Sequence, residues 1–147
     1  MFRQAAETWI SRACWETVHQ LPAGWKLWHP LTPGRAQGLL EGLGSISPRT
    51  AVWLNEVQCY LLTSSEELGE QLATALHDVL QDRQRGPVLV VGTLWPEYWH
   101  AMTAHPKQGT KDLHGQARAL LASHGITVPE VFDRNALTAR RQGTATP

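Results

Sequence analysis

Thr50 to Tyr60, TAVWLNEVQCY, is the stretch whose reading decides the fold. Ala51-Val52-Trp53-Leu54 is an apolar run with no polar alternation, which suits a strand buried on both faces of a parallel sheet. Asn55-Glu56 then delivers two polar residues at the strand's carboxyl end, where open α/β sheets bind ligands. A carboxylate there can accept a proton from water or orient a magnesium ion. Taken alone, the pair reads more simply as the opening of a solvated loop.

A second run of this kind, Val88-Leu89-Val90-Val91, leaves through Gly92-Thr93. Trp25 to His29 alternates, is rich in aromatics and stops at Pro30, the mark of a short strand. Helix-like segments separate the strands expected near 25–29, 50–55 and 88–93. That alternation predicts a three-layer α/β fold of parallel β-α-β units, with a sheet of about three strands flanked by helices.

The helical pattern begins at Thr8 to Gln20, where Ile10, Cys14 and Val18 share a face, and Leu21-Pro22-Ala23-Gly24 stops it. Thr32 as cap and Pro33 at the first helical position would start a second helix, through Leu39, Leu40 and Leu43 to Gly44. Ser64 with Glu67 three residues on has capping-box spacing, and Leu68, Leu72, Ala75, Leu76, Val79 and Leu80 continue as an apolar stripe. Trp95-Pro96-Glu97 opens a helix carrying Tyr98, Trp99 and Met102; Leu113 to His124 forms another, closed by Gly125. Residues 126–132 read as a connector. The expected domain spans 1–135, and 136–147 is expected to be a disordered tail.

Composition narrows the function classes. The chain has 147 residues, one domain's worth, with 42% hydrophobic and 18% charged residues, a globular balance. Basic and acidic residues number 13 each, which removes the electrostatic case for a nucleic-acid partner or an acidic membrane surface. Cys14 and Cys59 are too few for a disulfide framework, and a reducing cytoplasm is the expected location. No apolar run approaches the roughly 20 residues of a membrane span. Seven tryptophans beside strand-like runs suggest large flat side chains between sheet and helices.

If the two doubly apolar strands are neighbours, Asn55, Glu56 and Thr93 line one sheet edge. That grouping suits phosphate chemistry: an acid for water or metal, and a hydroxyl that senses a terminal phosphate. The alternative is a glycine that permits a tight turn and a threonine that caps the next helix. His100, His105 and His114 have no zinc spacing, so no metal site is expected. Cys59 lies three residues after Glu56 but has no histidine base in view, so a structural thiol is the expectation.

Five blocks together carry a resemblance: RACWETV (12–18), WKLWHP (25–30), RTAVWLNEVQCYL (49–61), GPVLVVGTLWPEYW (86–99) and ARALLASHGITVPEVF (117–132). In this order and spacing they resemble the P-loop NTPase domain of actinomycete multidomain proteins, similar to STAND and AAA+ ATPases. The resemblance implies ATP and Mg²⁺ as family cofactors and makes 51–56 the Walker B strand, central in the sheet. The 25–29 strand would lie on one side of it and 88–93 on the other. Glu56 would activate water, Asn55 would stand where aspartate is usual, and Thr93 would be the sensor. Ser11 and Arg12 would flank the nucleotide.

In the family a Gly-Lys-Thr loop precedes the Arg-Ala-Cys-Trp-Glu helix, whereas Trp9-Ile10-Ser11 stands there in this chain. The phosphate-binding lysine and wrapping glycines are replaced, and only the Ser11 hydroxyl remains to face magnesium. The expectation is an amino-terminally truncated or rearranged module that has lost ATP hydrolysis. The alternatives are a non-enzymatic interaction or regulatory scaffold on the same fold, or a gene remnant. The Val88 to Val91 strand would then be an open edge that self-associates, takes a protein partner or is covered by residues 1–20.

Overall fold

The computed structural model describes residues 2–30, 34–122 and 124–128, with residues 2–9 described by their backbone. In chain order the elements are α1 (Phe2–His19), β1 (Lys26–Trp28), α2 (Arg35–Leu43), β2 (Thr50–Leu54), α3 (Gln58–Leu61), α4 (Glu66–Gln81), β3 (Val88–Gly92), α5 (Pro96–Thr103) and α6 (Gly115–Leu121). The expected cap Thr32, Pro33 and everything from residue 129 onward lie outside the described residues. As described, α2 starts at Arg35 with Gly34 as its N-cap.

The three strands are parallel, in the order β1-β2-β3. Lys26, Leu27 and Trp28 face Thr50, Ala51 and Val52; Thr50 to Leu54 face Val88 to Gly92 in turn. This is the α/β sheet expected from the alternation of strands and helices, with β2 in the middle.

Strand residues alternate between faces, so the register sorts the apolar side chains into two sets. Trp28, Val52, Leu54, Val88 and Val90 join one core with Leu39 and Leu43 of α2, Tyr60 and Leu61 of α3, and Leu72, Leu76 and Val79 of α4; Met102 of α5 and Ala117 of α6 complete it. Leu27, Ala51, Trp53, Leu89 and Val91 fall on the other face, where Trp15 of α1 meets Trp53 edge-on with ring centroids 6.1 Å apart.

The longest core helix, α4, is the one whose apolar stripe is clearest in the sequence. Its cap is Ser65 and not Ser64: Ser65 is extended, and its hydroxyl oxygen accepts from the Leu68 N–H at 3.4 Å. The two serines are adjacent, and the one-residue shift brings Glu66 and Glu67 into the first turn, where they suit the helix's positive end. Gly69 lets α4 cross α3, since a Cβ there would sit 2.1 Å from the Leu61 carbonyl oxygen. At the far end of the core, Glu70 caps α6, accepting from the N–H groups of Gln116 (2.8 Å) and Ala117 (3.2 Å). No helix among the described residues is long and apolar enough to cross a membrane.

Candidate functional site at the carboxyl ends of the strands

Parallel strands finish on the same side of the sheet, and each of these delivers a polar residue there. His29 follows β1, Asn55 and Glu56 follow β2, and Thr93 follows β3. The turn after β2 is tight: Glu56 has φ +58°, the left-handed region that costs a residue with a Cβ about 1–2 kcal/mol.

Thr93 holds that turn in place. The Glu56 N–H donates to Thr93 Oγ1 at 2.9 Å, and the Val57 N–H donates to the Thr93 carbonyl at 2.8 Å. The Thr93 N–H returns a bond to the Leu54 carbonyl at 3.1 Å. Gly92 permits the approach, because a Cβ on it would lie 2.4 Å from Val57 Cγ2. Glycine at this strand exit is therefore a packing requirement.

The Thr93 hydroxyl donates onward to Asn55 Oδ1 at 3.0 Å, and the Ser11 hydroxyl of α1 donates to the same oxygen at 3.3 Å. A carbonyl oxygen has two lone pairs, so Asn55 Oδ1 is fully engaged. Asn55, Glu56 and Thr93 are thus brought together, and Ser11 joins them. Arg12 turns elsewhere, its Nε meeting Glu16 at 3.3 Å on the exposed side of α1.

The Glu56 carboxylate has two neighbours, of which sequence reasoning had set only Cys59 near it. The Arg35 guanidinium, from the first turn of α2, stands 3.6 Å from Oε2, and the Cys59 thiol donates to Oε2 at 3.8 Å. The pair is partly open to water, with 46% of the Arg35 and 29% of the Glu56 side chain exposed. Such a pair contributes about 0–1 kcal/mol, so its effect is to orient the carboxylate. Burial, and then the Glu56 charge, push the Cys59 thiol up from its ordinary range. A thiol held protonated is a poor nucleophile. Burial also raises Cys14.

His29 is the other residue the sequence reading passed over. Its Nδ1 lies 2.8 Å from the Trp53 carbonyl oxygen, which can only accept, so Nδ1 carries the proton. In the neutral ring Nε2 is then the basic nitrogen. The signal was available: a polar residue at a strand exit, the criterion that singled out Asn55 and Thr93. Arg35 had no comparable signal, because only the fold brings the α2 start to the β2 turn.

The side chains of this edge do not fit a magnesium nucleotide as they stand. A phosphate-wrapping loop needs free backbone N–H groups, but Trp9, Ile10 and Ser11 lie inside the unbroken helix α1. Interior helix N–H groups are spent on carbonyls four residues back. Asn55 brings no charge, and its carbonyl oxygen is already saturated by two hydroxyls. Among the described residues no three or more His, Cys, Asp or Glu side chains gather in a way that could hold a metal ion. Comparison of this chain with protein-family models, with curated proteins and with solved structures finds no match.

Proposed function

We propose that this chain is a P-loop NTPase-like module, of the STAND and AAA+ kind, that does not hydrolyse ATP. One observation carries the family reading. Ser11, Asn55 and Thr93 meet at a single oxygen although Ser11 and Thr93 are 44 and 38 residues from Asn55 in sequence. The resemblance assigns them to the loop hydroxyl, the acidic strand end and the sensor. P-loop NTPases hold magnesium between that hydroxyl and that acid.

The same atoms argue against turnover. Glu56 can prepare a water only where a terminal phosphate is held beside it. Each electrostatic contact of that hold is worth roughly 10²–10³ in rate, and several are replaced at once by the interior of α1. The expected result is no measurable ATP turnover by the purified chain and weak nucleotide binding at most. Magnesium-dependent turnover that Glu56→Gln abolishes would overturn this reading.

The scaffold reading has an observation of its own. The Thr93 N–H and the Pro87 carbonyl point toward β2 and the residue just before it. By alternation, Val88, Val90 and Gly92 aim their main-chain groups away from β2, and no fourth strand pairs there among the described residues. An apolar edge of this kind pairs with other chains. Sedimentation should reveal concentration-dependent self-association, and a monomer at every concentration would count against the scaffold reading.

A further inference from the structure

From residue 10 onward, α1 is bound mostly to itself. Arg12 pairs with Glu16, the Thr17 hydroxyl donates to the Ala13 carbonyl, and His19 bonds the Trp15 carbonyl, all within the helix. Among the described residues, the ties to the body are the Ser11 hydroxyl on Asn55, Trp15 edge-on to Trp53, the buried Val18 and the half-buried Cys14. Trp15 remains 48% exposed. The helix leads into the Leu21-Pro22-Ala23-Gly24 turn, where Gly24 has φ +94°.

Two groups of the body meet the described part of α1. One is the Asn55 oxygen that Ser11 shares with Thr93. The other is the Trp53 ring, on the sheet face it shares with Leu27 and Ala51. We propose that α1 is a detachable strap, which opens as a unit about the 21–24 turn while the core of α2 to α6 stays folded. Opening would free one lone pair of Asn55 Oδ1 and bare Trp53, so the strap governs access to the strand ends. Local opening of this sort belongs to segments with few buried apolar contacts. The inference is independent of the nucleotide reading, because it concerns only how α1 is held.

Native-state hydrogen exchange on the intact chain tests it, reading amides 10–19 against those of α4. The α1 amides should exchange at least tenfold faster than the slowest α4 amides, through an opening that leaves α4 protected. Ser11→Ala and Trp15→Ala should each speed α1 exchange about three- to tenfold without moving α4, since each removes one modest contact. Trypsin provides a second readout: cutting after the exposed Arg12 should precede cutting in the core and quicken in both variants. Equal protection of α1 and α4, or equal acceleration of both by either substitution, would make α1 part of one cooperative core and overturn the proposal.

Discussion

The two faces of the sheet carry similar residues and meet different fates. Trp28, Val52, Leu54, Val88 and Val90 pack into the core beneath α2 to α6. Leu27, Ala51, Trp53, Leu89 and Val91 look the other way, where Trp53 meets Trp15 of α1 and Leu27 is left 39% exposed. An apolar run without alternation says that both faces avoid water. It does not say how tightly each is covered, because that depends on helices far away in sequence. On the core face the coverage is a close crossing, Gly69 against Leu61. On the other, the described contacts are an aromatic edge, a hydrogen bond and the buried Val18.

Substitutions on the two faces should differ in cost. Leu72 is fully buried against the core face, so Leu72→Ala should cost about 2–5 kcal/mol in urea denaturation, transfer and cavity terms together. Trp15→Ala on the other face should cost less despite removing a larger side chain. If the two costs proved equal, the asymmetry between the faces would be wrong.

Thr93→Val sharpens the comparison at the boundary between the faces. It keeps the shape but removes the oxygen that accepts from Glu56 and donates to Asn55. A stranded N–H in a left-handed turn should cost about 1–3 kcal/mol. Exchange of the Glu56 amide should rise with it. An unchanged Glu56 amide would mean that Thr93 does not hold the turn.

The smallest effect should lie at the rim. The Arg118 guanidinium, hydrogen-bonded to Asp112, holds the Asp112 carboxyl below its ordinary range. A carboxyl depressed in the folded state stabilises fully above its unfolded value of about 3.9 and loses that contribution as pH falls through the lower folded value. Asp112→Asn should therefore lower stability slightly from neutrality down to about pH 4, and the difference from the unsubstituted chain should shrink as pH falls further. A difference that stayed the same on acidification, or grew, would refute this assignment.

Much of this arrangement was legible in the residues themselves. Ala51 to Leu54 announced a buried strand and Val88 to Val91 announced a strand, which lies at the sheet edge and is half-buried rather than buried on both faces; their exits named Asn55, Glu56 and Thr93. The apolar stripe of α4 announced a core helix. What stayed hidden depended on contacts across the fold. Helix α3 covers only Gln58–Leu61, too short for a helical period to register. Arg35 reaches Glu56 from another element, and Glu56 adopts a left-handed backbone that glutamate does not advertise. Two adjacent serines could each satisfy the cap rule, and only geometry chose Ser65.

The bond from Glu70 to the start of α6 bears on the order in which the molecule assembles. Helix α6 has seven residues, too few to persist alone in water. Two of its first N–H groups find their acceptor on a helix 46 and 47 residues earlier. α6 therefore forms on a surface that α4 must already present, and its folding is templated rather than autonomous. A nascent chain would keep residues 115–121 uncoiled until α4 had docked on the sheet, making α6 a late reporter of a completed core.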